Sequence, residues 1–212
     1  MIKTIYIVFA FLFLNVQGLP QSSNKFHIYS DAHIISGEFR LTRSYTDFKK
    51  ENFGFAGMGM YEYYFSSQTR SAFGLRFLTG AGTITGKGGT NSVGRSLYQE
   101  FNSTIFLVGG GGVYSFAANE FILPYIFAGA SYLFFDPKDG NGNPISPSIN
   151  YKKNEINYNG EIGIRFLVSK NLTLNLGGTL HSNPGDNLDG WARGKANDMF
   201  YSVGFGMSYI IS

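Results

Sequence analysis

Cysteine is absent from the 212 residues, so the chain cannot form disulfides, thiolate metal centres or a lipid-modified cysteine anchor. Proline is scarce, at six residues, and charged residues make up only 15%, unlike either a disordered tail or a helix-rich enzyme. Strong charge of one sign is missing too. The 17 Lys and Arg against 14 Asp and Glu leave a formal net charge of +3, too small to point to a nucleic-acid partner. A single long apolar run is present, Ile5 to Val16, shorter than the ~20 residues a spanning helix needs. Lys3 precedes it and Val16-Gln17-Gly18 follows it. That pattern reads as a secretory signal peptide over 1–18, cut before Leu19.

Glycine and aromatic residues are abundant: 28 Gly, 14 Tyr and 21 Phe. Mean hydropathy is close to zero, which a membrane-embedded β-barrel also produces by alternating apolar with polar residues. Such alternation runs through much of the chain. In 155–168, Ile156, Tyr158, Gly160, Ile162, Ile164, Phe166 and Val168 share one face, and Glu155, Asn157, Asn159, Glu161, Gly163, Arg165 and Leu167 share the other. The segments 33–45, 53–65, 71–83, 171–181 and 198–211 repeat the pattern. Two more, 99–116 and 121–135, are strand-like but apolar on both faces, so their phase stays open.

These eight segments each reach the ~9–11 residues with which a tilted strand crosses a bilayer. Their connections alternate: Ser66–Arg70, Ala117–Glu120 and Ser169–Lys170 are short, whereas 46–52, 84–98, 136–154 and 182–197 are long and polar. The expectation is an all-β fold, an eight-stranded antiparallel up-and-down transmembrane β-barrel over 33–212, after a periplasmic lead-in at 19–32. Short turns and both termini would be periplasmic and the long loops extracellular. A soluble barrel such as a lipocalin would have to expose the charged face and pack every Tyr and Phe inside.

In strand number, turn asymmetry and the closing strand Phe200-Tyr-Ser-Val-Gly-Phe-Gly-Met-Ser-Tyr-Ile-Ile, the mature chain resembles the OmpA/OmpX-like outer-membrane β-barrel family. The resemblance implies a porin-like barrel in the outer membrane of a Gram-negative cell, delivered there by the barrel-insertion machinery. Its partners would be outer-membrane lipid and lipopolysaccharide. It would be a monomer without cofactor or nucleic acid. The expected role is structural or surface-interacting: envelope integrity, adhesion or lipopolysaccharide contact through four loops. A lipid A-modifying esterase and a narrow passive channel are the alternatives.

Three groups of residues carry candidate chemistry. Glu38, Arg40, Glu62, Arg76, Glu161 and Arg165 all fall on the inward phase, where a narrow barrel is filled by side chains, so they are expected to pair as a lumen charge network. His181-Ser182-Asn183 resembles the His-x-Ser-Asn segment of outer-membrane lipid A 3-O-deacylases, whose His and Ser act as base and nucleophile on the lipid-facing side. Here the two are adjacent, so a regular strand turns them to opposite faces, and only a bulge would realign them. Asp139, Asn141 and Asn143, with Asp136 nearby, alternate like the start of a calcium loop. Pro144 stands in place of the glycine and Asn150 in place of the closing glutamate, so a polar turn is the preferred reading.

Finally, Lys49, Lys50, Lys87, Arg95, Lys138, Lys152, Lys153, Arg193 and Lys195 gather in or beside the long connections. There they would meet the phosphates of lipopolysaccharide or simply be solvated. Gly80-Ala81-Gly82 followed by Gly86-Lys87-Gly88 misses phosphate-loop spacing, and Gly109 to Gly112 suits close strand packing.

Overall fold

The computed structural model describes residues 31–46, 48–65, 71–89, 100–116, 121–145, 152–185, 187–189 and 198–211. The signal peptide, residues 19–30 of the lead-in and the turns Ser66–Arg70 and Ala117–Glu120 lie outside them.

Eight strands follow one another: β1 (His33–Tyr45), β2 (Phe48–Tyr64), β3 (Ser71–Gly89), β4 (Glu100–Phe116), β5 (Ile122–Asp139), β6 (Asn154–Leu167), β7 (Leu172–Ser182) and β8 (Met199–Ile211). Each pairs antiparallel with the next, and β1 pairs with β8, so the sheet closes. In the register, Phe39 stands opposite Gly57 on β2 and Phe205 on β8. Closure removes the free edges that an open sheet would leave unpaired.

The alternation explains the two surfaces. Outward positions carry Ile35, Phe39, Phe55, Phe77, Phe106, Ile126, Ile162, Leu176 and Phe205, all exposed. A continuous apolar belt of this kind is stable against hydrocarbon and costly in water. Inward positions are buried, but they are not uniform around the wall. On β1, β6, β7 and β8 they are polar: Ser36 and Thr42, Asn157 and Asn159, Thr173 and Asn175, Ser202 and Ser208. On β3, β4 and β5 most are apolar, among them Leu78, Ile105, Leu107, Val113, Leu123, Phe127 and Leu133, with Arg76, Ser103, Ser115 and Ser131 as the polar exceptions. This resolves the phase of the two ambiguous segments. β4 buries Phe101, Ser103, Ile105 and Leu107, and β5 buries Leu123, Tyr125, Phe127 and Leu133.

Three strands run further than their hydrophobic alternation indicates. β2 begins at Phe48, β3 continues to Gly89 and β5 to Asp139, taking in parts of the connections 46–52, 84–98 and 136–154. The ladders Thr85↔Asn102 and Asn102↔Lys138 continue although the outward residues have become polar. The result is a four-stranded extension of β2–β5 at the far rim, the end of the barrel away from His33. A β-bulge shifts the β2–β3 register between Asn52 and Ala56 at its base. On the inner side of the extension Ile84, Phe101, Phe135 and Ile145 are buried and belong to the same apolar cluster as the barrel interior.

Candidate functional site

The six inward charges come from β1, β2, β3 and β6, and the structure brings them into one chain of alternating sign. Glu38 and Arg40 are two apart on β1, on one face, with Arg40 Nη2 2.7 Å from Glu38 Oε2. The same nitrogen reaches across to Glu161 Oε2 at 2.9 Å. Glu161 Oε1 accepts from Arg76 Nη1 at 3.0 Å, Arg76 Nε donates to Glu62 Oε1 at 2.7 Å, and Arg165 Nη2 donates to the same oxygen at 2.6 Å. Three carboxylates and three guanidiniums therefore neutralise one another in sequence Glu38–Arg40–Glu161–Arg76–Glu62–Arg165.

Neutral partners extend the network. Tyr125 Oη donates to Glu161 Oε1 at 2.7 Å, Thr179 donates to Glu161 Oε2 at 2.8 Å and accepts from Arg40, and Arg165 Nη1 donates to Tyr64 Oη at 3.1 Å. The Arg76 guanidinium lies 4.9 Å from the Tyr125 ring centroid and 4.7 Å from that of Phe127, and Arg165 lies 4.4 Å from Tyr125. Tyr125 thus sits between two arginines and a glutamate. Sequence reading missed it because β5 is apolar on both faces, and its two tyrosines, Tyr125 and Tyr132, fall on opposite phases without marking which one is inward.

Burial decides what this arrangement can do. Arg40 is 2% exposed, Arg76 and Arg165 1%, and Glu62 0%, so among the described residues these side chains are shielded from solvent. Ions of this kind are tolerated in a low-dielectric interior only when paired and hydrogen-bonded.

His181 lies on the inward phase of β7, nearer the far rim. Its ring stacks on Phe200 with centroids 4.0 Å apart, and Nδ1 lies 2.9 Å from Asn159 Oδ1 and 3.0 Å from Asn157 Oδ1. The pairing Asn159↔His181 and Tyr158↔Ser182 is regular, so no bulge turns Ser182 to the same side. Ser182 belongs to the face that carries Leu180 and Tyr158.

Asp136 and Asp139 fall on opposite faces of β5. Asp136 Oδ1 pairs with Lys153 Nζ at 2.7 Å, and its other oxygen is 4.0 Å from Lys138 Nζ. Asp139 Oδ1 instead accepts the backbone N–H groups of Asn141 at 2.9 Å and Asn143 at 2.8 Å, which closes the turn. Among the described residues no cluster of three or more His, Cys, Asp or Glu is arranged to hold a metal. Of the rim cations, Lys87 pairs with Glu100 at 2.7 Å. Arg95, Arg193 and Lys195, and the side chains of Lys49 and Lys50, lie outside the described residues. A cleft of about 500 Å³ opens on the β2–β5 extension beside Phe53, Lys87, Asn102 and Lys138.

No family model matches the chain, and no curated protein sequence matches it. Solved structures do match in fold. Neisserial surface protein A superimposes with a TM-score of 0.57 at 14% identity, covering 84% of this chain and 97% of that one. Ail, the attachment invasion locus protein of Yersinia pestis, gives 0.55 at 14% identity over 86% of this chain and 99% of its own. Ail in complex with the heparin analogue sucrose octasulfate gives 0.50 at 15% identity, with the same coverage. The chain has the fold of the eight-stranded outer-membrane β-barrels of the OmpA/OmpX-like kind.

Proposed function

We propose that this chain is a closed outer-membrane barrel that acts as a structural and surface-interacting element, presenting its far rim outside the cell. The observation that carries this reading is the alternating Glu–Arg chain across the lumen, with each of its arginines at most 2% exposed. A barrel built to conduct would leave such groups wet. A barrel built to hold a rim rigidly benefits from cross-links between β1, β2, β3 and β6.

The apolar belt supports insertion in a bilayer, and the extension of β2–β5 supports display of a polar surface above it. The structural neighbour Ail, an attachment invasion locus protein seen with a heparin analogue, makes a surface-binding role a natural expectation for this fold. The N-terminal signal peptide, lipopolysaccharide and outer-membrane lipid as partners, and a monomeric state belong to the same proposal. The placement of His181 inside and Ser182 on the other face favours a non-catalytic role.

Two measurements on the same protein test it. Liposomes containing the purified barrel should not swell in iso-osmotic small sugars, and lipid A from cells expressing it should keep all its acyl chains by mass spectrometry. Swelling would establish a channel, and loss of a fatty acid would establish the esterase.

A further inference from the structure

We infer that the cleft on the outward face of the β2–β5 extension binds neutral sugar rings of the glycolipid surrounding the barrel, through ring stacking and hydroxyl recognition rather than through phosphate. The inference rests on the surface-barrel reading above and names the chemistry of its rim.

Position comes first. Along β4 the last apolar outward residue before the cleft is Phe106, and Thr104 and Asn102 follow on the same face. At about 3.4 Å per residue they stand roughly 7 and 14 Å further along the strand. Phe53, Asn102, Thr104 and Lys138 of its lining fall on the outward phase of their strands, so the cleft opens outward rather than into the lumen. It faces sideways, directly above the hydrocarbon belt, at the depth where a glycolipid carries its first sugars. The β2–β3 register shifts between Asn52 and Ala56 at this level, an irregularity of the kind that re-aims side chains along a strand.

The lining matches a pyranose. Such a ring has an apolar C–H face and a rim of hydroxyls that both donate and accept. Phe53 is 64% exposed, and the Arg43 guanidinium 5.8 Å from its centroid steadies one side of the ring. Asn52 and Asn102 supply carboxamides, each a donor and an acceptor, and Thr85 and Thr104 supply hydroxyls. The size of the cleft, about 500 Å³, falls within the ~300–1,000 Å³ of small-molecule sites.

Charge separates sugar from phosphate. The cleft's two lysines are matched by acids: Lys87 is 2.7 Å from Glu100, and Lys138 is 4.0 Å from Asp136. Asp139 also lines the cleft. A phosphate arriving there would meet Glu100 already holding Lys87, and the carboxylates of Asp136 and Asp139 close to Lys138, whereas a neutral hydroxyl uses both signs equally well.

The test uses the full-length barrel in phospholipid nanodiscs. The probe is the oligosaccharide left by complete alkaline deacylation of lipopolysaccharide, which keeps the sugars next to the acyl chains, in its native form and after enzymatic removal of phosphate, with inorganic phosphate as competitor. The phosphate-free oligosaccharide should bind saturably, and Phe53→Ala should weaken it about tenfold or more, roughly 1.4 kcal/mol. Asn102→Ala should weaken it as well, and provides the readout should Phe53→Ala misfold. Binding only by the phosphorylated form, displacement by inorganic phosphate, indifference to both substitutions, or no binding at all would overturn the inference. A barrel that binds no sugar yet neither swells liposomes nor trims lipid A would remove this site and leave the surface-barrel reading standing.

Discussion

Glu62 on β2 and Arg76 on β3 stand directly opposite one another in the strand register, with Arg76 Nε donating to Glu62 Oε1 at 2.7 Å. Sequence spacing suggests only a diagonal approach across the Ser66–Arg70 turn. Direct opposition brings the guanidinium fork close enough to use Nη1 on Glu161 across the lumen at the same time. The pair is therefore both a strand–strand contact and a cross-link through the barrel.

Removing one member leaves a buried charge without its partner. Arg76→Ala should cost about 3–5 kcal/mol in reversible urea unfolding from micelles. Glu62→Ala combined with Arg76→Ala should cost less than the two single losses added, because the second substitution removes the stranded charge. Strictly additive losses would show that the two side chains are independent.

His181 should prove structural. His181→Ala removes a buried ring stacked on Phe200, and truncating a buried aromatic ring costs about 3–5 kcal/mol. The same substitution should leave the lipid A of expressing cells unchanged in mass. A lipid A species that differs between wild type and His181→Ala would assign the imidazole a chemical task.

Glycine positions divide by what lies beside them. A Cβ at Gly111 would sit 2.2 Å from the Ala128 carbonyl oxygen and 2.4 Å from the Gly129 Cα, whereas one at Gly178 meets nothing within 4 Å. Gly111→Ala should destabilise the barrel by about 1–3 kcal/mol through overpacking between β4 and β5. Gly178→Ala should be nearly neutral. Equal effects in thermal unfolding would contradict the close approach of these strands.

The proposed orientation puts the long connections outside the cell. Protease added to intact cells should cut within 84–98, 136–154 or 182–197 and spare Ser66–Arg70. Cleavage at Ser66–Arg70 in sealed cells would invert the barrel.

Much of this fold is legible in the sequence where one face is polar and the other apolar. The phase of β1, β6, β7 and β8 follows from residues such as Glu38, Asn157, Thr173 and Ser202, because polar side chains inside contrast with Phe and Leu outside. β4 and β5 hide their phase because Ile105, Leu107, Leu123 and Phe127 make the inner wall apolar too. Alternation places the six charges on the inward phase, but not which partner each one takes. That depends on register across the closed sheet, and on Tyr125 reaching Glu161 from β5. In β2, β3 and β5 the extension escapes hydropathy, although the β4 part lies within the segment 99–116: past Thr104 and Thr85 both the surroundings and the outward side chains turn polar while the hydrogen-bonded ladder continues. The cleft depends on that extension and on a bulge, neither of which leaves a period in the sequence.

Single-channel recording of the purified wild-type barrel in planar bilayers addresses the sealed lumen most directly. The continuous chain from Glu38 to Arg165 predicts a flat baseline with no resolved steps at any voltage the membrane withstands, in low or high salt. Discrete steps whose size grows with salt concentration would mean that ions pass through the network, and would contradict a closed barrel.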